Sequence, residues 1–509
     1  MTRNFPPSRS RSAARPGMRT CKRRLPRRRG GPRHGQPMWP RASIVLRLER
    51  SRHCRIRCCD RRRDDRPILR NTGMTPGRLT NVNAPATLTR LSASERYRIF
   101  FYLGILITLL AFGAPFGGLI DIPISFLLKN KLHMTASEVT GFRLLAAIPL
   151  FLSFLFGLLR DTWNPFGMKD RGFLMAFGAI GASIYVFFAF APMTYTVLLA
   201  AVVLATIAFL FVSSAQNGLA SEIGRQHVMS GQISAAWNIF ASLPAVISLL
   251  AGGWLSDLLE STRTTRILRI LFLSGAVIMA AIAVFGVWKP RSVFDNLAPA
   301  SKNPPLLRQH IRILAGHWPI YPALLIWLLW NFAPGSATPL QYYLQNTLHA
   351  TDTQWGQWNA IFAAAFIPTF AIFGYLCRKI PLRTLLFWGT VIAVPQMLPL
   401  LFIHSLVGAL IAAVPIGLMG GIATAAYLDL LIRAGPAGLQ GTTLMLSGAL
   451  YFIAARFGDV LGAWLYDQYG GFTICVIATT VVYALILPVI FLIPQHLIAT
   501  HDGEIPHNE

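Results

Sequence analysis

The chain has 509 residues, of which 54% are hydrophobic and 13% charged. Soluble domains carry roughly 25% charged residues, so a string of ordinary water-soluble domains is excluded. The net charge of +27 is concentrated at one end: residues 1–73 hold 22 arginines and one lysine against four acids, while the chain from Met74 on holds 24 bases against 16 acids.

Residues 1–73 are Arg-rich and have almost no apolar periodicity beyond Ile44-Val45-Leu46. Three readings compete: a basic segment for nucleic acid or anionic lipid, a transit peptide, or translated GC-rich DNA ahead of a true start at Met74. The last is the expectation, and no nucleic-acid partner is expected. His53, Cys54, Cys58 and Cys59 match no common zinc spacing, so no metal site is expected. Residues 74–98 are a polar lead-in, ending Ser94-Glu95-Arg96-Tyr97-Arg98.

Twelve apolar stretches follow, each long enough to cross a bilayer as a helix: 99–127, 140–160, 172–192, 195–220, 231–256, 267–288, 319–345, 354–377, 384–403, 406–432, 438–466 and 471–494. A polar linker, 289–318, separates the sixth from the seventh. Its basic amphipathic stretch, Leu306 to Leu314, is expected to lie along the membrane surface. The predicted fold is an all-α integral membrane protein with a six-helix half at 99–288, a second at 319–494 and a terminal tail at 495–509.

Short loops on the side of the N-terminus carry 17 Lys and Arg from Met74 on, against six on the other side. By the positive-inside rule both termini are cytoplasmic, and a bacterial inner membrane is the expected location. The halves also repeat each other. Leu-x-Asn-x-Leu-His-x-Thr follows the first span, from Leu128 to Thr135, and the seventh, from Leu344 to Thr351. Pro123 and Pro339 keep the same spacing. Gly252-Gly-Trp-Leu-Ser-Asp257 in the fifth span is matched by Gly462-Ala-Trp-Leu-Tyr-Asp467 in the eleventh. Duplication of a six-helix unit is the build of many secondary transporters.

The loop after the second span reads Gly157-Leu-Leu-Arg-Asp161-Thr-Trp-Asn-Pro-Phe-Gly167-Met-Lys169-Asp-Arg171. It resembles the signature loop between helices two and three of the major facilitator superfamily, in a longer form similar to the folate-biopterin transporter and bacteriochlorophyll-delivery branches. The resemblance covers about Arg96 to Pro494 and implies a twelve-helix permease whose spans one, four, seven and ten line a central cavity. Physically, Gly157 allows close helix approach, Asp161 is placed to face a neighbouring helix N-terminus, and Lys169 and Arg171 anchor the loop on the inner face. In the second half, Gly374-Tyr-Leu-Cys-Arg-Lys379 has bases where the first has Asp161, which implies asymmetric gating. Related branches tend to carry Asp near Ser213 and Asn217, so this chain departs from them there.

Charges inside spans are costly and mark function or structural pairing. Arg456 and Asp459 in the eleventh span share a helix face. One reading gives Arg456 a substrate anion and Asp459 a proton; the other makes them a structural pair. Asp121 in the first span can titrate near the outer side. Asn217, Asn331, Gln341 and Tyr427 fall on cavity-lining spans, and Trp327 and Trp330 beside Asn331 suit a flat or amphipathic organic molecule. There is no nucleotide-binding Gly-Lys-Ser/Thr loop, His-Glu-x-x-His or Gly-x-Ser-x-Gly, so neither an enzyme nor a cofactor is expected. The expected activity is secondary active transport of a small organic solute across the bilayer by alternating access, coupled to an ion or proton. The rivals are a non-transporting delivery factor and an integral-membrane enzyme.

Overall fold

The computed structural model describes residues 91–115, 136–192, 194–261, 266–294, 307–469 and 471–504, with isolated positions between Ile124 and Met134. The basic segment 1–73 and most of the lead-in therefore lie outside the described residues, as does Asp121. Residues from Asn81 on form one compact unit. Its described residues are mostly helical and contain no strand.

Helix α1 (Ala93–Phe112) begins where Ser92 and Glu95 cap each other: the Ser92 hydroxyl accepts from the Glu95 N–H, and the Glu95 carboxylate accepts from the Ser92 N–H at 2.9 Å. This satisfies a donor left over at a helix start. The second expected span is two segments, α2 (Ala136–Phe151) and α3 (Ser153–Thr162), meeting at Leu152. Pro149 lies inside α2, where it removes the N–H that would bond to the carbonyl one turn back. Then come α4 (Asp170–Phe190), α5 (Tyr195–Gln226), α6 (Ser230–Ser261) and α7 (Arg266–Val287).

The linker holds α8 (Leu307–Gly316), bent 80° against α9 (Ile320–Asn331). Ile311, Arg312 and Ile313 of α8 are exposed, the pattern of a helix that turns aside from the bundle. The seventh span then breaks and resumes as α10 (Thr338–Tyr342), with a π turn at Tyr343–Thr347. The rest are α11 (Asp352–Leu376), α12 (Leu382–Ala393), α13 (Leu406–Ala434), α14 (Gln440–Gln468), α15 (Phe472–Ala484), α16 (Ile486–Ile490) and α17 (Gln495–Ile498). Among the described residues nine helices are long and apolar enough to cross a membrane, or ten if α8 and α9 count as one bent span. Helix stands at the place of each of the twelve expected spans, part of the first falling outside the described residues.

Within each half, α4 packs on α7, and α13 packs on both α11 and α12. Between the halves the main contacts are α3 with α14 and α6 with α11. Counting within halves, both are a second helix against a fifth, so the same joint is made twice in opposite senses. That is the packing a duplicated unit gives when its copies face each other across a two-fold axis. The main buried cluster runs through both halves, and a smaller one around Trp358, Ala413 and Val476 belongs to the second.

Candidate functional site

At one joint α3 meets the start of α14. A Cβ on Gly157 would stand 2.7 Å from both the Gly441 carbonyl oxygen and the Thr442 Cα; only a glycine permits this approach. Four residues on, Asp161 Oδ2 accepts from the Thr442 N–H at 2.7 Å and from its hydroxyl at 2.6 Å. A carboxylate at a helix N-terminus meets unsatisfied N–H groups and the positive dipole end. Asp161 thus faces a neighbouring helix start, as its place at the end of a span suggests.

Arg160 holds the same corner. It donates to Asp161 Oδ1 at 2.7 Å, and its Nε and Nη2 donate to the two Asp170 oxygens at 2.6 and 2.8 Å. Glu222 at the end of α5 lies 3.8 Å from its Nη2 and 3.9 Å from the Lys169 ammonium. The side chains of Arg160, Asp161 and Asp170 are nearly all out of solvent. Three carboxylates face two cations, and the dipole of α14 supplies further positive potential. Arg171 donates to the Gly286 and Val287 carbonyls at 3.0 and 2.7 Å, a cation on the open C-terminal carbonyls of α7. Gly167 lies in the turn between α3 and α4 with φ of 68°, where the Lys169 N–H donates to the Asn164 side chain at 2.6 Å.

At the other joint the end of α11 meets the start of α6. A Cβ on Gly231 would stand 2.8 Å from the Cys377 Cβ, so the close approach recurs. The carboxylate does not: Cys377-Arg378 follows Gly374 at the steps where Arg160-Asp161 follows Gly157. The N–H groups of Gly231 and Gln232 donate instead to Asp502 of the C-terminal tail, at 3.3 and 2.9 Å. Arg433 of α13 donates to both Asp429 oxygens at 2.8 and 3.1 Å, to Asp502 at 2.9 Å and to the Ser230 hydroxyl at 3.0 Å. The Arg225 guanidinium also crosses between the halves, to the Gly435 carbonyl.

Further along the bundle, Asp459 Oδ1 accepts from the Thr338 N–H at 2.8 Å. This carboxylate therefore caps α10, where the seventh span resumes after its break. Within the break the Gly335 N–H donates to the Thr479 hydroxyl at 2.7 Å. Arg456 is exposed on the surface of the described residues and forms no ion pair with Asp459 there; the two share a helix but not a bond. Asn217 donates to Ser213 at 3.3 Å and approaches the Met445 sulfur. Asn331 donates to the Trp327 carbonyl one turn back at 2.7 Å, and the Trp327 Nε1–H reaches the Ser447 carbonyl at 2.9 Å. Tyr427 is buried, with its hydroxyl 2.7 Å from that of Thr390 and its ring against Trp330. Gln341 is half-buried in α10. Thus the structure groups Gly157, Asp161, Gly167, Lys169 and Arg171 in one place, joins Asp459 to the broken span, and keeps Tyr427 inside the second half.

Sequence reasoning missed Arg160, Asp170 and Glu222 as partners of Asp161, and missed Asp429, Arg433 and Asp502 as a cluster. Asp429 and Arg433 had a legible signal, an acid four residues before a base on one helix. Asp502 had none, since nothing local distinguishes a tail aspartate that docks from one that does not. Among the described residues no cluster of His, Cys, Asp and Glu is arranged to hold a metal.

Comparison with known proteins agrees with this geometry. Residues 227–458 match the family model of the Major Facilitator Superfamily. The folate-biopterin transporter of Synechocystis sp. is 23% identical over 407 residues, covering 74% of this chain and 78% of the relative. Among solved structures, FucP, a Major Facilitator Superfamily transporter in the outward conformation, aligns with a TM-score of 0.61 at 14% identity over 79% of this chain and 100% of its own. The proton:xylose symporter XylE gives 0.58 at 12% identity over 78% and 96%. The human organic anion transporter MFSD10 (TETRAN) gives 0.55 at 15% identity over 79% and 100%. The resemblance read from the signature loop holds at the level of the superfamily and its fold.

Proposed function

Starting from a multi-pass membrane protein with the major facilitator fold, we propose that the chain is a secondary active transporter that moves a small organic solute by alternating access. The observation that carries this reading is the doubled joint: α3 on α14 and α6 on α11, each with a glycine contact and a carboxylate on a helix N-terminus. At each corner the polar part of the contact is one carboxylate that takes a few hydrogen bonds from a helix start. They can be exchanged for water as the halves rock, whereas the apolar packing within each half cannot. By the excess of Lys and Arg in its loops, the end bearing both joints is cytoplasmic, and it is closed in this structure. The likeness to FucP, described in its outward conformation, supports the same assignment.

The solute site belongs near the break of the seventh span. There Asp459 caps α10, and Asn331 and Trp327 lie on the last turn before the break. Interrupted helices near the midplane are where transporters of this build place substrate and coupling-ion groups. The exposed Arg456 gives that region a cation for an organic anion, and Asp459 gives it a titratable group. The likeness to a folate-biopterin transporter supports a flat organic solute, while Ser213 and Asn217 argue for a different one. The test is purified protein in liposomes, screened for uptake of organic anions with and without an inward proton gradient. Uptake driven by the gradient is expected. No uptake of any compound by protein shown to be folded would remove the reading.

A further inference from the structure

The two joints take their carboxylates from different parts of the chain. At α3 and α14 the acid is Asp161, at the end of the very helix that packs there. At α11 and α6 the equivalent helix end offers Cys377 and Arg378, and the acid comes from beyond the last span. Asp502 is buried. Its Oδ2 accepts from the Gln232 N–H at 2.9 Å and from the Gln232 side chain at 3.4 Å, its Oδ1 accepts from the Gly231 N–H at 3.3 Å and from Arg433 at 2.9 Å, and the Cys377 thiol lies 3.7 Å away.

The tail backbone is fixed on both sides of that joint. The Asp502 N–H donates to the Cys377 carbonyl at 2.9 Å, in the second half, and the Gly503 N–H donates to the Val228 carbonyl at 2.8 Å, in the first. Arg433 Nη1 donates to the Thr500 carbonyl at 3.0 Å. Ile498, in the short helix α17, is buried in the main cluster. Gly231 and Gln232 stand at the step of α6 that Gly441 and Thr442 occupy in α14, at the spacing that relates Gly252 to Gly462. Asp502 and Asp161 therefore do the same work on opposite sides of the two-fold axis.

We propose that the C-terminal tail is a latch on the cytoplasmic gate: Asp502 supplies to the start of α6 the helix cap that Asp161 supplies to α14, and the tail must release α6 before this end of the bundle opens. The inference rests on the alternating-access reading. A segment pinned to both halves opposes their separation, and a charge-assisted bond to a helix start is the strongest kind available at such a joint. The groups facing Asp502 are Asp429 and Arg433 from α13 and Cys377 from the end of α11, with His501 and Glu504 beside it in the tail; α6 contributes backbone N–H groups and Gln232. Burial and the neighbouring Asp429 push the Asp502 carboxyl up to about 6, against the pull of Arg433. Cys377 is itself buried beneath the tail, so a latched tail leaves its thiol covered.

Cys377 is therefore a built-in reporter. In a chain where Cys377 is the only cysteine, purified in detergent, maleimide labelling is compared between the parent, Asp502→Ala, a chain ended at Ala499, and Asp161→Ala. The two tail variants are expected to label about tenfold faster than the parent, the scale of one charge-assisted hydrogen bond. Unchanged labelling in both, with Asp161→Ala faster, would overturn the latch and leave the gate reading in place. Unchanged labelling in all three would count against both. A second measurement needs no open state: Asp502→Cys in the same background is expected to form a disulfide with Cys377 on oxidation, protecting both thiols until reduction. Failure to bridge would show that the tail does not sit on α11 and would overturn the proposal. Transport plays no part in either readout, so a failed uptake screen is distinguishable from a failed latch.

Discussion

The two joints between the halves are copies in backbone and opposites in side-chain supply. Around Asp161 the chain uses residues close in sequence: Arg160, Asp161 and Asp170 all belong to α3 or the start of α4, and Glu222 completes the set. Around Asp502 the arginine moves to α13, the carboxylates are Asp429 and the tail, and the end of α11 contributes the Cys377 thiol. Duplication preserved what close packing requires, the glycines at the contact: Gly157 and Gly374 on one helix of each joint, Gly441 and Gly231 on the other. It did not preserve which segment carries the charges, because a helix N-terminus accepts a carboxylate from any direction. A joint of this kind is specified by the unsatisfied N–H groups and the space beside them.

The largest effect that separates the two joints is expected at Arg160. Replacing Arg160 by Met leaves Asp161, Asp170 and Glu222 without their shared cation. Removing one partner of a buried pair costs roughly 3–5 kcal/mol. A marked fall in the thermal midpoint of the purified protein is expected, and a midpoint equal to the parent's would show that this cluster is not the tightly buried one. The matching change at the other joint, Arg433→Met, is expected to cost less, since its exposure is greater and the tail can leave Asp502 in water.

The glycines are expected to behave alike where the charges do not. A Cβ on Gly441 would stand 2.9 Å from Asp161 Oδ1, and one on Gly231 2.8 Å from the Cys377 Cβ. Gly441→Val and Gly231→Val each press a branched side chain into the facing helix end, with an overpacking cost of about 1–3 kcal/mol at a closed joint. Both are expected to hold this end of the bundle open and to raise Cys377 labelling by similar factors. A large response at only one would break the two-fold equivalence.

Farther along the bundle, Asp459→Leu removes the cap from α10 and is expected to cost about 1 kcal/mol, whereas Asp459→Asn keeps an acceptor for the Thr338 N–H. If Asp459 also carries a proton during transport, the Asn variant folds as the parent does yet loses the response of uptake to a pH gradient. Unchanged pH dependence in that variant would limit Asp459 to its capping role.

The smallest expected effect is a pH response of the tail joint. In the latched state Asp502 holds its proton to about 6, above its ordinary value of 3.8. The closed form thus binds a proton more tightly than the released tail. Acid favours closure: the gain is complete below about pH 4 and is lost as pH rises through about 6. Between about pH 7.5 and about pH 6 the closed form should gain roughly twofold. The check is the ratio of Cys377 labelling in folded protein to that in denatured protein, which cancels the pH dependence of the reagent. Asp502→Asn should remove the trend, and a trend of opposite sign would show that Arg433 dominates the carboxyl.

The sequence alone determined the placement of the apolar helices, because crossing a bilayer demands long apolar runs whatever surrounds them, and the internal repeat in turn implied the pairing of halves. It also singled out Gly157 and Asp161, whose types suit a close helix crossing and a helix end. The structure located the breaks: the second span divides at Leu152, and the seventh stops at Asn331 and restarts at Thr338. Hydropathy does not register such a break, since the interrupted stretch carries no charge. Only the tertiary structure decided that Asp459 caps α10 and stands apart from Arg456, and that Asp502 serves a helix start far from it in the chain. Both are long-range partnerships between a carboxylate and backbone N–H groups. Every residue but proline has such an N–H, so no pattern of side chains in the sequence marks the partner.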